Sequence, residues 1–104
     1  MSAIEVNKIL DYEQLSVGGA VVPLTSSVYS PLLLQYPTSY DRIAAYILAE
    51  GDIRFTVGDD PTASVGFPLS PGMLLIVPQE NISSFKMIAK AGTVTVNVLY
   101  VDVG

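Results

Sequence analysis

Short apolar runs separated by turn-forming residues dominate this chain and limit what it can fold into. Eight glycines and seven prolines are spread over its 104 residues. Short runs rich in Val, Ile and Leu between such breaks are typical of the strands of sandwiches and barrels. The pattern predicts an all-β fold, either an antiparallel β-sandwich or a jelly-roll-like barrel of about seven or eight strands. A chain of this length buries roughly 65% of its extended surface, so we expect residues 1–104 to form a single domain.

The first third of the chain contains three predicted strands. Residues 4–17 hold the first, although apolar side chains alternate poorly there, and residues 1–15 are alternatively an arm that orders on assembly. Residues 20–25 and 28–35 form the next two, with Pro23 and Pro31 inside them. A proline cannot donate a hydrogen bond to a neighbouring strand. We therefore expect each of these strands to lie at a sheet edge or to contain a β-bulge.

Residues 39–51 (SYDRIAAYILAEG) fit either a helix or a strand. A serine that can cap the start and a glycine that can end the segment favour a helix. As a strand, the segment places Ile43, Ala45 and Ile47 on one face and further apolar residues on the other. Residues 52–57 alternate cleanly between apolar and polar, and a tight Glu-Gly-Asp turn precedes them. A hairpin through that turn favours the strand interpretation.

The remaining half of the chain repeats the strand-and-turn pattern. Residues 58–72 form a turn-rich connection, and the wholly apolar run 73–77 (MLLIV) predicts a central strand buried on both faces. Residues 79–84 are a predicted polar turn. Two alternating strands follow, over residues 85–90 and 93–103, and the second is built from alternating Val and Thr or Asn.

Composition excludes several kinds of chemistry and of partner. The chain has no Cys and no His, which excludes disulfides, Cys/His zinc sites and every mechanism that needs a thiol or a histidine base. A net charge of −5 with five dispersed cations is unsuited to nucleic acid or to anionic membrane surfaces. Only 14% of residues are charged, and the mean hydropathy is +0.48. Such a chain either buries surface against other chains, most simply as a homo-oligomer, or is a monomer with an unusually apolar core.

Carboxylates occur in pairs only at predicted turns. Asp59 and Asp60 precede a proline, and Glu50 and Asp52 flank a glycine. Turn capping and solvation explain these positions better than metal binding or acid–base catalysis. A Ser-x-x-Lys spacing ends at Lys86, but it lies between a turn and a strand and not at the helix start where that motif works. We therefore predict no catalytic residue, no metal and no cofactor, and a protein that is not an enzyme.

Tyrosines supply the one candidate binding patch in the sequence. Tyr29, Tyr36 and Tyr40 lie close together in the proline-containing first half. Exposed aromatic rings stack on sugar rings or anchor protein partners. The alternative function is therefore a carbohydrate-binding β-sandwich module that uses these tyrosines.

Five segments that together span most of the chain have a recognisable pattern. They are an early VPLTSSVY-type segment, an RIAAYILAEGDIRFTVG-type segment, an Asp-x-Pro-Thr-Ala turn, an apolar strand after Pro-Gly, and a final Gly-Thr strand ending in Val-x-Tyr. These stand at residues 22–29, 42–58, 60–66, 71–77 and 92–100. In these segments the chain resembles a group of small structural proteins of bacteriophages.

The resemblance implies a β-sandwich protein of the virion, made in the host cytoplasm. Its expected partners are copies of itself and capsid, neck or tail proteins, where it acts as decoration, cement or an accessory subunit. The shared positions are turn and core residues, so no functional residue is carried over.

Overall fold

Eight strands form two antiparallel four-stranded sheets that pack as a sandwich. The computed structural model of the chain describes residues 8–35 and 42–103. Sheet A has the strand order β1-β8-β3-β6, and sheet B has the order β2-β7-β4-β5. The strands are β1 (Lys8–Val17), β2 (Val22–Pro23), β3 (Ile43–Ala49), β4 (Ile53–Val57), β5 (Phe67–Leu69), β6 (Leu74–Pro78), β7 (Phe85–Ala89) and β8 (Val94–Asp102). The predicted all-β sandwich is confirmed.

The core lies between the inner faces of the two sheets, and β8 is its central strand. β8 pairs with β1 on one side and with β3 on the other. Its alternate residues Val94, Val96, Val98 and Tyr100 are buried, whereas Thr95 is exposed. The valine alternation in the sequence therefore gave the correct inward face for this strand.

A β-bulge explains why apolar residues alternate poorly in the first strand. The register of β1 on β8 shifts between Ile9 and Asp11, which leaves Leu10 as the extra residue. One extra residue moves all the following side chains to the opposite face. The strand itself is confirmed from Lys8, and the expectation for residues 1–7 lies outside the described residues.

The strand predicted over residues 28–35 is wrong, because this segment is helix α1 (Ser26–Gln35). The carbonyl of Thr25 accepts hydrogen bonds from the amides of Val28 and Tyr29, at 2.9 and 3.2 Å. Helical spacing gives the segment an apolar side whose members pack against the core, namely Val28, Tyr29, Leu32 and Leu33. Pro31 was interpreted as the mark of an edge strand, but it lies inside this short helix. Among the described residues, neither helical segment is long and apolar enough to cross a membrane.

The predicted hairpin between β3 and β4 is also wrong. The strand interpretation of the segment around β3 is confirmed, but β3 belongs to sheet A and β4 to sheet B. The turn between them is therefore an arch that crosses the core. The amide of Glu50 donates to the carbonyl of Thr95 at 2.9 Å, and the carbonyl of Asp52 accepts from Lys90 at 3.1 Å. Both strands have core-facing residues, so the arch buries them against each other, which a flat hairpin would not do.

The apolar run at residues 73–77 is an edge strand and not a central strand. Within the described residues β6 pairs with β3 alone, and its side chains at Leu74 and Ile76 are 53% and 37% exposed. Leu75 and Val77 pack on the core from the other face. The run is apolar on both faces, but only its inner face is covered.

Two shorter elements close the sandwich. β5 lies inside the connection that was predicted to contain only turns, and it pairs with β4. Residues 79–84, predicted as a polar turn, form a 3-10 helix (Gln79–Ser84) in which Gln79 and Ile82 are buried. The side-chain oxygen of Gln79 accepts the amide of Ile43 at 3.0 Å, which satisfies the start of β3. The predicted edge strand with Pro23 is confirmed as β2.

Candidate interaction surface

The outward side of sheet A carries two rows of side chains that cross all four strands. Strand register places Tyr12, Leu99, Tyr46 and Ile76 in one row, and Gln14, Asn97, Leu48 and Leu74 in the next. We call these eight residues the outer face. Residues directly opposite on neighbouring strands lie about 5 Å apart, so the rows form a continuous surface.

Six of the eight side chains of the outer face are aliphatic or aromatic, and the other two, Gln14 and Asn97, are uncharged. Tyr12 is 73% exposed and Leu74 is 53% exposed, and Leu48 and Ile76 are each more than one-third exposed. Antiparallel sheets that face water on one side normally carry polar residues there. An apolar solvent-facing sheet surface is therefore informative in a way that a scattered exposed leucine is not.

A concavity of about 490 Å³ lies in the middle of the outer face. Tyr12 and Tyr46 stand at two of its sides, and Leu48, Leu74 and Leu99 supply most of the apolar lining. Strands are spaced about 4.8 Å apart, which puts the two tyrosines, two strands apart, roughly 10 Å from each other. The concavity is suited to receive an apolar side chain or a flat ring.

A short polar network lies at one end of the second row of the outer face, on β1 and β8. The amide of Gln14 donates to Asn97 Oδ1 at 2.8 Å, and Asn97 Nδ2 donates to Glu50 Oε2 at 2.9 Å. These bonds orient both amide side chains along the row. Glu50 is the carboxylate that the sequence placed at a turn, and here it serves as an acceptor for this network.

An anchor on the inner side of sheet A fixes β1 beneath the outer face. The Tyr100 hydroxyl donates to Glu13 Oε2 at 2.6 Å, and the amide of Thr25 donates to the same oxygen at 3.2 Å. Burial raises the pKa of Tyr100 far above its usual range, and the hydrogen bond to Glu13 raises it further. The anchor joins β1, β8 and the start of α1 through one carboxylate.

The structure describes one residue of the predicted tyrosine patch. Tyr29 lies on α1, half-buried, with its side chain packed against the core. Tyr36 and Tyr40 lie outside the described residues. The patch of three tyrosines therefore stays a prediction, and Tyr12 and Tyr46 form a second pair that the sequence analysis did not single out.

Two of the other candidate residues, Asp60 and Lys86, pair with each other. Lys86 Nζ forms an ion pair with Asp60 at 2.8 Å, across the outside of sheet B. Within residues 8–35 and 42–103, no group of three acidic, His or Cys side chains is arranged to hold a metal ion.

One signal in the sequence could have located the outer face. β3 is apolar on both faces and β6 is apolar throughout, in a chain with few charges. That signal was interpreted as burial on both faces, because periodicity alone does not tell whether a second layer covers a strand.

Comparisons with protein-family models, with curated proteins and with solved structures found no match.

Proposed function

We propose that this chain is a non-enzymatic structural protein of a bacteriophage virion. It acts as capsid decoration or cement, or as a neck or tail accessory, and attaches through its outer face to copies of itself and to other virion proteins. The resemblance of its turn and core segments to small phage structural proteins supports the virion context.

The exposed, uncharged outer face is the observation that carries the proposal. Burying apolar surface stabilises an interface by about 25 cal/mol per Å², and an uncharged patch avoids repulsion between copies of an acidic protein. Aromatic residues are enriched at protein interfaces, and the outer face carries two of them, Tyr12 and Tyr46. Two other exposed residues with large apolar side chains, Val65 and Phe67, lie off this face.

Hydroxyl-radical footprinting of the purified chain at low and high concentration tests the proposal. We expect oxidation of Tyr46 and Leu74 to fall several-fold as concentration rises, because association covers the outer face. Phe67 is an internal control, since it is 69% exposed and lies on sheet B. Oxidation of Tyr46 and Leu74 that stays constant relative to Phe67 at all concentrations would contradict the proposal.

A second candidate function is favoured by the concavity itself. Two tyrosines about two strand spacings apart, with the amides of Gln14 and Asn97 in the neighbouring row, are groups of the kind that bind sugar rings by stacking and hydrogen bonding. The carbohydrate-binding alternative is thus better placed at Tyr12 and Tyr46 than at Tyr29.

Titration with neutral oligosaccharides, followed by NMR, distinguishes the two functions. Sub-millimolar binding that is lost in Tyr46→Ala and retained in Tyr29→Ala would establish the carbohydrate function. Absence of chemical-shift changes at millimolar sugar would exclude it and leave protein assembly as the role of the outer face.

A further inference from the structure

The four sheet edges of the sandwich are not protected alike. β2, β5 and β6 each carry a proline at a paired position, opposite Lys86, Arg54 and Ala44 respectively. Prolines on edge strands remove backbone donors and discourage further strand pairing. β1 is ten residues long and has no proline. In the part of the chain that the structure describes, β1 is therefore the edge that remains open to another strand.

The backbone of β1 presents hydrogen-bonding groups on its free side. The amide of Tyr12 donates to the carboxylate of its neighbour Asp11 at 2.8 Å, so this amide does not point toward β8. In an antiparallel pair, alternate residues direct both backbone groups to the partner strand. Gln14 and Ser16 consequently project their N–H and C=O groups from the same free edge as Tyr12. Among the described residues, the backbone N–H and C=O groups of Gln14 and Ser16 have no backbone partner on that side.

We propose that β1 pairs with β1 of a second copy of this chain, in an antiparallel register centred on Gln14. The bulge at Leu10 limits regular pairing to residues 11–17, and Gln14 is the middle of that segment. The two-fold axis then places Gln14 opposite its own copy and Tyr12 opposite Ser16 of the other chain. Each such pair exchanges two backbone hydrogen bonds, so the interface gains about six.

Charge is compatible with a second copy in this register. The facing pairs are Asp11 with Val17, Glu13 with Leu15, and Gln14 with itself, so no like charges stand directly opposite. The two Asp11 carboxylates lie at opposite ends of the paired segment, roughly 20 Å apart at 3.4 Å per residue. Glu13 is directed inward, where Tyr100 and Thr25 satisfy it. Pairing also joins the two outer faces into one eight-stranded surface.

This contact is distinct from the outer face, because it uses the backbone edge of β1. Leu74→Glu, which places a charge on the outer face, should leave it intact. The edge pairing and the proposed function can therefore fail separately.

Single-cysteine crosslinking tests the register directly, because the native chain contains no cysteine. Residues in a hydrogen-bonded pair have Cα atoms about 5.5 Å apart, within disulfide range. We expect Gln14→Cys to form a disulfide-linked dimer under mild oxidation at least about tenfold faster than Val65→Cys, since pairing holds the thiols at millimolar effective concentration. Tyr12→Cys is a register control, because its copy would lie about 14 Å away along the strand. The same crosslink should form when Leu74→Glu is added.

A proline variant tests the backbone hydrogen bonds. Gln14→Pro removes the outward backbone amide at the centre of the pairing and leaves the backbone hydrogen bonds between β1 and β8 in place. Both Gln14→Pro and Gln14→Ala lose the side-chain hydrogen bond to Asn97, but Gln14→Ala keeps the backbone amide. Circular dichroism and thermal unfolding establish that both variants fold. If Gln14→Pro does not fold, Ser16→Pro is used in its place. We expect the solution mass of Gln14→Pro to rise less with concentration than that of Gln14→Ala, because the two variants share the loss of the side chain and differ in the backbone amide.

The proposal is overturned if Gln14→Cys crosslinks no faster than Val65→Cys. It is also overturned if the folded proline variant associates as strongly as Gln14→Ala.

Discussion

At the scale of single residues, Tyr100 is a buried polar residue that joins several elements of the fold. Its ring lies in the core and its hydroxyl reaches the carboxylate of Glu13, which also receives the amide of Thr25. A buried hydroxyl without an acceptor is costly, so Glu13 is placed on the inward face of β1 although its neighbours there are apolar. The pair ties the edge strand to the central strand at the point where α1 begins.

Tyr100→Phe is expected to lower the free energy of unfolding by about 1–3 kcal/mol at neutral pH, because a hydrogen bond to a carboxylate is lost. It should also change the response to alkali. The pKa of Tyr100 is raised in the folded protein, so above the ordinary tyrosine pKa of about 10 the unfolded chain releases a proton that the folded chain retains. The stability that comes from the raised pKa of Tyr100 is fully present below pH 10. As the pH rises above 10, the free energy of unfolding falls by up to about 1.4 kcal/mol per pH unit.

Urea unfolding of the native chain and of Tyr100→Phe between pH 8 and pH 11.5 checks both effects. The difference in stability between the two should shrink as pH rises past 10. A constant difference over this range would show that Tyr100 does not hold its proton in the folded state.

Gly66 occupies a position where the backbone requires a glycine. Its φ of +134° is disfavoured for any other residue, and an added Cβ would lie 3.2 Å from both Arg54 Cβ and the carbonyl oxygen of Phe55. Gly72 also has a positive φ, +83°, but open space around its Cβ position. We expect Gly66→Ala to destabilise the chain by about 2 kcal/mol more than Gly72→Ala. Equal midpoints in chemical unfolding would contradict this steric account.

At the scale of elements, the position of a strand in its sheet decides what its apolar residues do. Val96 on β8 is fully buried, whereas Ile76 on β6 is 37% exposed and faces outward. Replacement by Thr keeps β-branching at both positions and places a hydroxyl in the core only at the first. We expect Val96→Thr to cost about 1–3 kcal/mol and Ile76→Thr about 0.5 kcal/mol.

Thermal or urea unfolding of the two variants compares a central with an edge strand. A large loss of stability from Ile76→Thr would indicate that Ile76 is buried, and would contradict the description of the outer face as exposed to solvent.

The sequence predicted those elements whose local pattern agrees with their tertiary surroundings. Examples are the strands β4, β7 and β8, in which a two-residue alternation marks one buried face. The proline-bearing edge strand β2 is another. It failed at α1, where a proline inside a short helix was taken as an edge-strand signal. It failed at β6 and at the arch after β3, because the number of layers and the choice of sheet depend on contacts between residues far apart in the chain.

The outer face was missed for the same reason. Whether a strand that is apolar on both sides is covered depends on the whole fold, and here sheet A has only sheet B beneath it in the described part of the chain. The alternation that exposes Tyr12 also begins only after the bulge at Leu10, and a bulge leaves no clear mark in a single sequence.

At the scale of the whole molecule, an acidic sandwich combines an uncharged sheet face with one open strand edge. The first supplies apolar area and the second supplies directional hydrogen bonds, which together suit repeated contacts between identical subunits. A small patch on each subunit is sufficient for stable association when many copies act together, since linked contacts add avidity without new interactions.

The central claim is that the outer face is an association surface, and light scattering of three chains over a wide concentration range tests it most directly. These are the native chain, Leu74→Glu on the outer face and Val65→Glu away from it. The two variants make the same charge change at residues that are 53% and 62% exposed. We predict that the solution mass of the native chain and of Val65→Glu rises with concentration, and that the mass of Leu74→Glu rises less. The same mass for all three chains at every concentration would contradict the account.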